Sequence, residues 1–157
     1  MSFDIFLQCM RNGNVATFNR SIFEELFGAY VVARRPGFMR VDFNHIPETP
    51  SPVEESDNVC RIVDLTKIDG GEIYVDDSDE IDGGMFNHCG GDRFWQALYE
   101  LARRTGSVIY WPAEGPASAV ADEAIIGHMP ADMIKVVGPV QIVGSGSELA
   151  EYIADHS

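Results

Sequence analysis

Phe3, Ile5, Leu7 and Cys9 alternate with Asp4, Phe6 and Gln8. A period of two puts successive side chains on opposite faces of a strand, so Phe3 to Cys9 reads as a half-buried strand. Met10 to Ala16, which holds Asn12-Gly13-Asn14, reads as a turn. Ser21-Ile22-Phe23-Glu24 has the spacing of a capping box, in which Ser and Glu satisfy each other's free backbone donors. It predicts a helix that runs through Leu26 and Phe27 and stops at Gly28. Three pairs of apolar runs then flank turn residues and predict hairpins. These are Tyr30–Arg35 with Phe38–Phe43 around Pro36-Gly37, Val59–Lys67 with Glu72–Asp76 around Asp69-Gly70-Gly71, and Ser107–Trp111 with Ala117–Ala121.

The clearest helical period follows Asp92. Phe94, Trp95, Leu98, Leu101 and Ala102 fall on one face, with Arg93, Gln96, Glu100 and Arg103 opposite. Asp92 reads as the cap, Gly106 as the stop, and Glu100 with Arg104 as an i,i+4 ion pair. Asp122–Gly127 and Ala131–Val137 read as short helices separated by Pro130. Pro139–Val143 reads as a short strand, and Ser145-Gly146-Ser147-Glu148 opens a last helix carrying Leu149, Tyr152 and Ile153.

Two stretches lack periodicity. Residues 46–58 hold Pro47, Pro50 and Pro52 and read as a Pro/acid-rich surface loop. Pro47-Glu48-Thr49-Pro50 matches a P-x-x-P ligand pattern in form only. Residues 76–91 read as an acidic and then Gly-rich loop. Strands joined mainly by tight turns pair antiparallel. The expectation is therefore a single α+β domain over residues 1–157, a mainly antiparallel sheet of hairpins with helices packed on one face. Phe94, Trp95, Leu98 and Leu101 should lie near its centre.

Composition narrows the function classes. The chain has 157 residues, of which 45% are apolar and 23% charged, enough for a packed core of one domain. No run approaches the roughly 20 apolar residues of a membrane helix. The opening residues Met1 to Ile5 lack the basic stretch of a secretory signal. Cys9, Cys60 and Cys89 are odd in number and far apart, which argues against a disulfide scaffold. A cytoplasmic location is expected.

The formal net charge is −14. That excludes non-specific nucleic-acid binding, whose affinity comes from Lys and Arg. The acids concentrate between Glu48 and Asp82, where twelve of them face only Arg61 and Lys67. Concentrated charge of one sign speeds encounter with a partner of the other sign. The candidate partner-binding residues are Glu54, Glu55, Asp57, Asp76, Asp77, Asp79, Glu80 and Asp82.

Catalytic chemistry has one candidate location. His88 and Cys89 sit between two Gly pairs and just before a helix N-terminus, where the dipole lowers a thiol pKa. Adjacent side chains seldom face each other, however, and nucleophile and base usually converge from separate parts of a fold. Asp79, Asp82 and His88 are candidate ligands for a divalent ion. Asp77 to Cys89 fits no register of an EF-hand loop, and no H-E-x-x-H occurs. Gly144-Ser145-Gly146-Ser147 lacks the Lys-Ser/Thr of a phosphate loop and reads as ordinary capping. No cofactor is implied.

The leading expectation is a small acidic binding protein, such as an inhibitor or immunity protein that neutralises a basic partner. One alternative is a small hydrolase or metal-dependent enzyme centred on Asp79, Asp82, His88 and Cys89. Another is a homo-oligomeric structural subunit that pairs through its exposed sheet face or the Tyr110-Trp111 edge.

Overall fold

A computed structural model describes residues 4–45 and 68–157. The alternation near the N-terminus forms strand β1 (Ile5–Arg11), which turns at Asn12-Gly13 into the short β2 (Asn14–Val15). An Asn-Gly pair between apolar runs is a strong two-residue hairpin signal. A short β3 (Phe18–Asn19) leads into helix α1 (Arg20–Phe27). The capping box is not used. Asn19 is the N-cap and accepts from the Ser21 amide, while Glu24 is engaged by Arg20 and Arg34.

The first expected hairpin is seen as β4 (Val31–Arg35) and β5 (Phe38–Asp42). The chain re-enters the described residues before β6 (Gly70–Tyr74), which pairs with β5 on one side. Its other side is taken by a strand at Gly83–Gly90, so the two edges of Glu72 and its neighbours are both filled within the described residues. Val59–Lys67, the expected hairpin partner, and the loop at 46–58 lie outside them.

The expected loop over 76–91 needs a correction. Only its first part is irregular. After a short β7 (Glu80–Ile81), Gly83–Gly90 forms strand β8, central in the sheet between β1 and β6. Glycine suppressed the strand signal in the sequence, but here it serves close backbone approach. A Cβ on Gly83 would stand 2.0 Å from the Leu7 carbonyl oxygen.

Helix α2 (Asp92–Thr105) leads to β9 (Ser107–Tyr110), and β10 (Ser118–Val120) completes the third expected hairpin. Then come α3 (Glu123–Ile126), α4 (Ala131–Val137), β11 (Gln141–Ile142) and α5 (Gly146–Asp155). Among the described residues the main sheet has nine strands, in the order β11-β10-β9-β1-β8-β6-β5-β4 with β2 beside β1. All its pairings are antiparallel except β10 with β11. The molecule is an α+β domain, as expected.

Helices α1, α2 and α5 cover one face. Phe94, Leu98 and Leu101 of α2 are almost wholly buried, in one cluster with Ile5, Leu7, Ile73, Phe86 and Ile109. Each such side chain contributes about 1.5–3 kcal/mol by leaving water. The short helices α3 and α4 extend the expected plan. They join Met10, Val108 and Val120 in a smaller cluster at one end of the opposite face.

The cap of α2 is supplied from a distance. Gly91, at φ 96°, takes the N-cap position with no capping side chain of its own. Asp69 fills the role expected of Asp92: its carboxylate accepts from the Phe94 amide at 2.9 Å and from the Arg93 side chain at 2.9 Å. Free helical N–H groups and the positive dipole end make this a favourable seat for a carboxylate. The α2 C-terminus is tied outward. Arg104 pairs with Glu25 of α1 at 2.7 Å rather than with Glu100, which Arg103 holds.

Asp69→Ala should cost about 1–2 kcal/mol, the ordinary loss for a helix cap, read as a lower urea midpoint. Gly91→Ala should cost more. Its Cβ would combine a positive φ with an approach of 2.4 Å to the Asp69 Cα.

Candidate functional site

The sheet face opposite α2 carries a continuous row of side chains. Cross-strand partners run Arg35–Phe38, Phe38–Tyr74, Tyr74–Met85, Met85–Phe6, Phe6–Tyr110 and Tyr110–Ser118. Directly opposed residues share a face. The row therefore crosses seven strands, and from Phe38 to Tyr110 it spans roughly 19 Å at the ordinary strand spacing. Alternation is what places it there. In β1, Ile5, Leu7 and Cys9 enter the core under the helices, which sends Phe6 and Gln8 to the opposite side.

The rings contact one another. Phe6 and Tyr110 stack with centroids 5.3 Å apart, and Phe38 and Tyr74 meet at 5.2 Å. The Arg35 guanidinium lies over Phe38, 4.4 Å from its centroid. Tyr74 is 38% exposed, while Phe6, Met85 and Tyr110 are half-buried. Burial also holds the Tyr110 phenol above its usual pKa, so its hydroxyl stays neutral at physiological pH.

A cavity of about 400 Å³ opens beside this row. Phe6, Tyr74 and Tyr110 line it together with Gln8, Asp76 and Asp82, and Gly83 leaves its floor without a side chain. No Lys or Arg among the described residues lines it. The acidic segment is well anchored. β7 pairs with β3, the Arg20 guanidinium donates to the Asp76 carbonyl, and Asp77 accepts from the Gly37 amide at 3.0 Å. Asp76 Oδ1 accepts from Ser78, leaving Oδ2 without a partner among the described residues. Asp82 makes no side-chain hydrogen bond or ion pair among them; its carbonyl accepts from Gln8. Asp79 and Glu80 are exposed on the same segment.

The candidate catalytic pair is drawn apart. β8 carries one extra residue against β6, and His88 takes a positive φ of 51° at that bulge. Bulges re-aim side chains. The His88 ring points to solvent and sits 3.1 Å from Glu72 Oε2, while Arg40 holds Oε1 at 3.1 Å. Cys89 turns to the other side and packs against the core beside Gly71. Burial raises the Cys89 thiol pKa strongly, the opposite of an activated nucleophile. His88 is not brought to Asp79 or Asp82 either. Asp82 precedes β8 and His88 lies near its far end, about 20 Å along the strand. Among the described residues, no group of three His, Cys, Asp or Glu side chains is placed to hold a metal ion.

Glu54, Glu55 and Asp57 lie outside the described residues. Of the remaining acidic candidates, Asp76 and Asp82 line the cavity, and Asp77 is engaged in holding the Gly37 turn. The Tyr110-Trp111 edge divides. Tyr110 joins the open row, but Trp111 is buried and donates to the His156 carbonyl. Phe6, Gln8, Tyr74 and Met85 were not singled out from sequence. Their signal was an aromatic or apolar residue on the polar phase of a strand, as with Phe6 between Ile5 and Leu7.

No family model, curated protein or solved structure matches the chain. Among the described residues, no helix is long and apolar enough to cross a membrane.

Two titrations have definite signs. For Glu72, burial alone raises the pKa, but hydrogen bonds and charge from His88 and Arg40 outweigh it and hold the carboxyl below its usual value. Its contribution to stability is present above the ordinary Glu range and is lost as pH falls through the folded value. For Cys9 and Cys89, burial raises the pKa. An unfolded thiol releases its proton near about pH 8.5, while the native chain keeps both. Their contribution is complete below that pH and declines above it. Urea midpoints should therefore fall between pH 8 and 10, and by less in Cys89→Ala. Iodoacetamide should label native Cys89 at least about tenfold more slowly than the unfolded chain, because the thiolate is the reactive form.

Proposed function

We propose that this protein is a binding module that docks a basic protein partner on the open face of its sheet. The observation that carries this reading is the aromatic row from Phe38 to Tyr110, bordered by a cavity that Asp76 and Asp82 line and that no Lys or Arg among the described residues lines. An antiparallel sheet can leave one face to water, but such faces then usually alternate to polar residues. Here that phase presents Phe6, Met85, Tyr74 and Tyr110. Rigid aromatic side chains supply contact area at little entropic cost, and they dominate interface energetics.

Charge chooses the partner. The net charge of −14 opposes pairing of this face with a second copy of itself. The same charge draws a cationic protein and selects it from neutral ones. An inhibitor or immunity protein acting on a basic toxin or nuclease is one concrete form of this activity. A catalytic reading has less support, because His88 and Cys89 lie on opposite sides of β8.

The test uses immobilised wild-type protein and variants against lysate of the source organism. Wild type should retain a basic polypeptide that elutes as salt rises. Asp79→Lys with Asp82→Lys should weaken its retention by about tenfold or more, and Tyr74→Ala should weaken it at every salt concentration. Glu151→Lys, on the exposed side of α5, should leave it unchanged. Equal loss from all three variants, or from none, would rule the face out as the docking surface.

A further inference from the structure

The geometry points to a single planar cation as the group this face reads: we infer that the cavity between Tyr74 and Tyr110 receives an arginine side chain of the partner. The inference rests on the docking reading above and names the chemistry at its centre.

The row already binds one guanidinium. The Arg35 guanidinium lies over the Phe38 ring, 4.4 Å from its centroid, at one end of the same register. Four strands away, the stacked Phe6–Tyr110 pair offers a second aromatic surface, and no side-chain cation among the described residues occupies it. Tyr74 also lines the cavity. Aromatic faces attract cations through their quadrupole, and Arg also stacks by its plane.

Among the residues that line the cavity, Asp76 and Asp82 bring carboxylates that only accept, and the Gln8 carboxamide and the tyrosine hydroxyls each offer an acceptor beside a donor. Asp76 Oδ2 and the Asp82 carboxylate have no partner among the described residues, and Gln8, whose amide donates to the Asp82 carbonyl, lines the cavity with them. A guanidinium presents five donors in a fixed fork and no acceptor. An ammonium is a compact and more strongly hydrated charge, so it gains less from stacked rings. The volume of about 400 Å³ is ample for one long side chain but small for a folded element. A strand or loop of the partner laid along the row would place one arginine there.

The probes are Nα-acetyl-arginine methylamide, its lysine counterpart and its citrulline counterpart, which keeps the shape and lacks the charge. Amide NMR spectra of the full chain are recorded during titration. The arginine probe should shift the amides of Gln8, Asp82 and Gly83 saturably at millimolar concentration. It should bind at least about threefold more tightly than the lysine probe, and citrulline should cause no saturable shift. Tyr74→Leu, which keeps an apolar side chain at an exposed position, should weaken the arginine response several-fold, as should Asp82→Asn. Absence of a saturable response at these amides overturns the inference, and so does an equal response to citrulline. The two readings fail separately. If the arginine probe fails while Tyr74→Ala still abolishes partner retention, the docking face stands and its arginine does not. If the probe binds while retention ignores these residues, the cavity reads arginine but the docking assignment falls.

Discussion

The packing of α2 against the centre of the sheet is the constraint on which the rest depends. Phe94, Leu98 and Leu101 can leave water only by meeting Ile5, Leu7, Ile73 and Phe86. That contact fixes the phase of β1, β6 and β8, since a slip of one residue would turn every core side chain outward. Once the phase is fixed, Phe6, Tyr74 and Met85 have no choice of side. The open aromatic row is thus a geometric consequence of the core. Asp69 contributes by anchoring the start of α2 to the segment leading into β6, so hydrogen bonds as well as packing hold that end of the helix.

Much of this was legible from sequence because periodicity is local. The phase of β1, the α2 face and two of the hairpins follow from spacing alone. The misreadings share a physical cause, which is interaction between parts distant in sequence. Gly83-Gly84 and Gly90 looked like a loop because glycine has no side chain to pack. At Gly83 and Gly84 the reason is the close approach of neighbouring strands, which becomes visible only when β1 and β6 flank them. Asp92 looked like the cap because it immediately precedes the helical period, yet Asp69 reaches the same amides from beyond the chain's nearest neighbours. Glu24 was drawn from a local box by Arg34, ten residues away.

The site was legible only in part. Two residues of the acidic run, Asp76 and Asp82, line the cavity, but their residue type did not separate them from Asp77, whose carboxylate holds a turn. His88 and Cys89 attracted notice as reactive types. The bulge at His88 sends them to opposite sides, a backbone detail that side-chain identity does not encode. Phe6 carried the most useful unread signal. An aromatic residue on the outward phase of a strand that otherwise alternates is either edge packing or a surface held for contact. The register of the neighbouring strands favours the proposed contact role, because it aligns Phe6 with other apolar residues instead of isolating it.

The central claim is that partners meet the open face rather than the helical one. Site-specific photo-crosslinking tests it directly, with a photoreactive residue in place of Tyr74 on the row or of Glu151 on α5. Irradiation in lysate of the source organism should yield an adduct with a basic polypeptide from position 74, suppressed by high salt, and none from position 151. An adduct from position 151 alone, or none from position 74, would contradict the account.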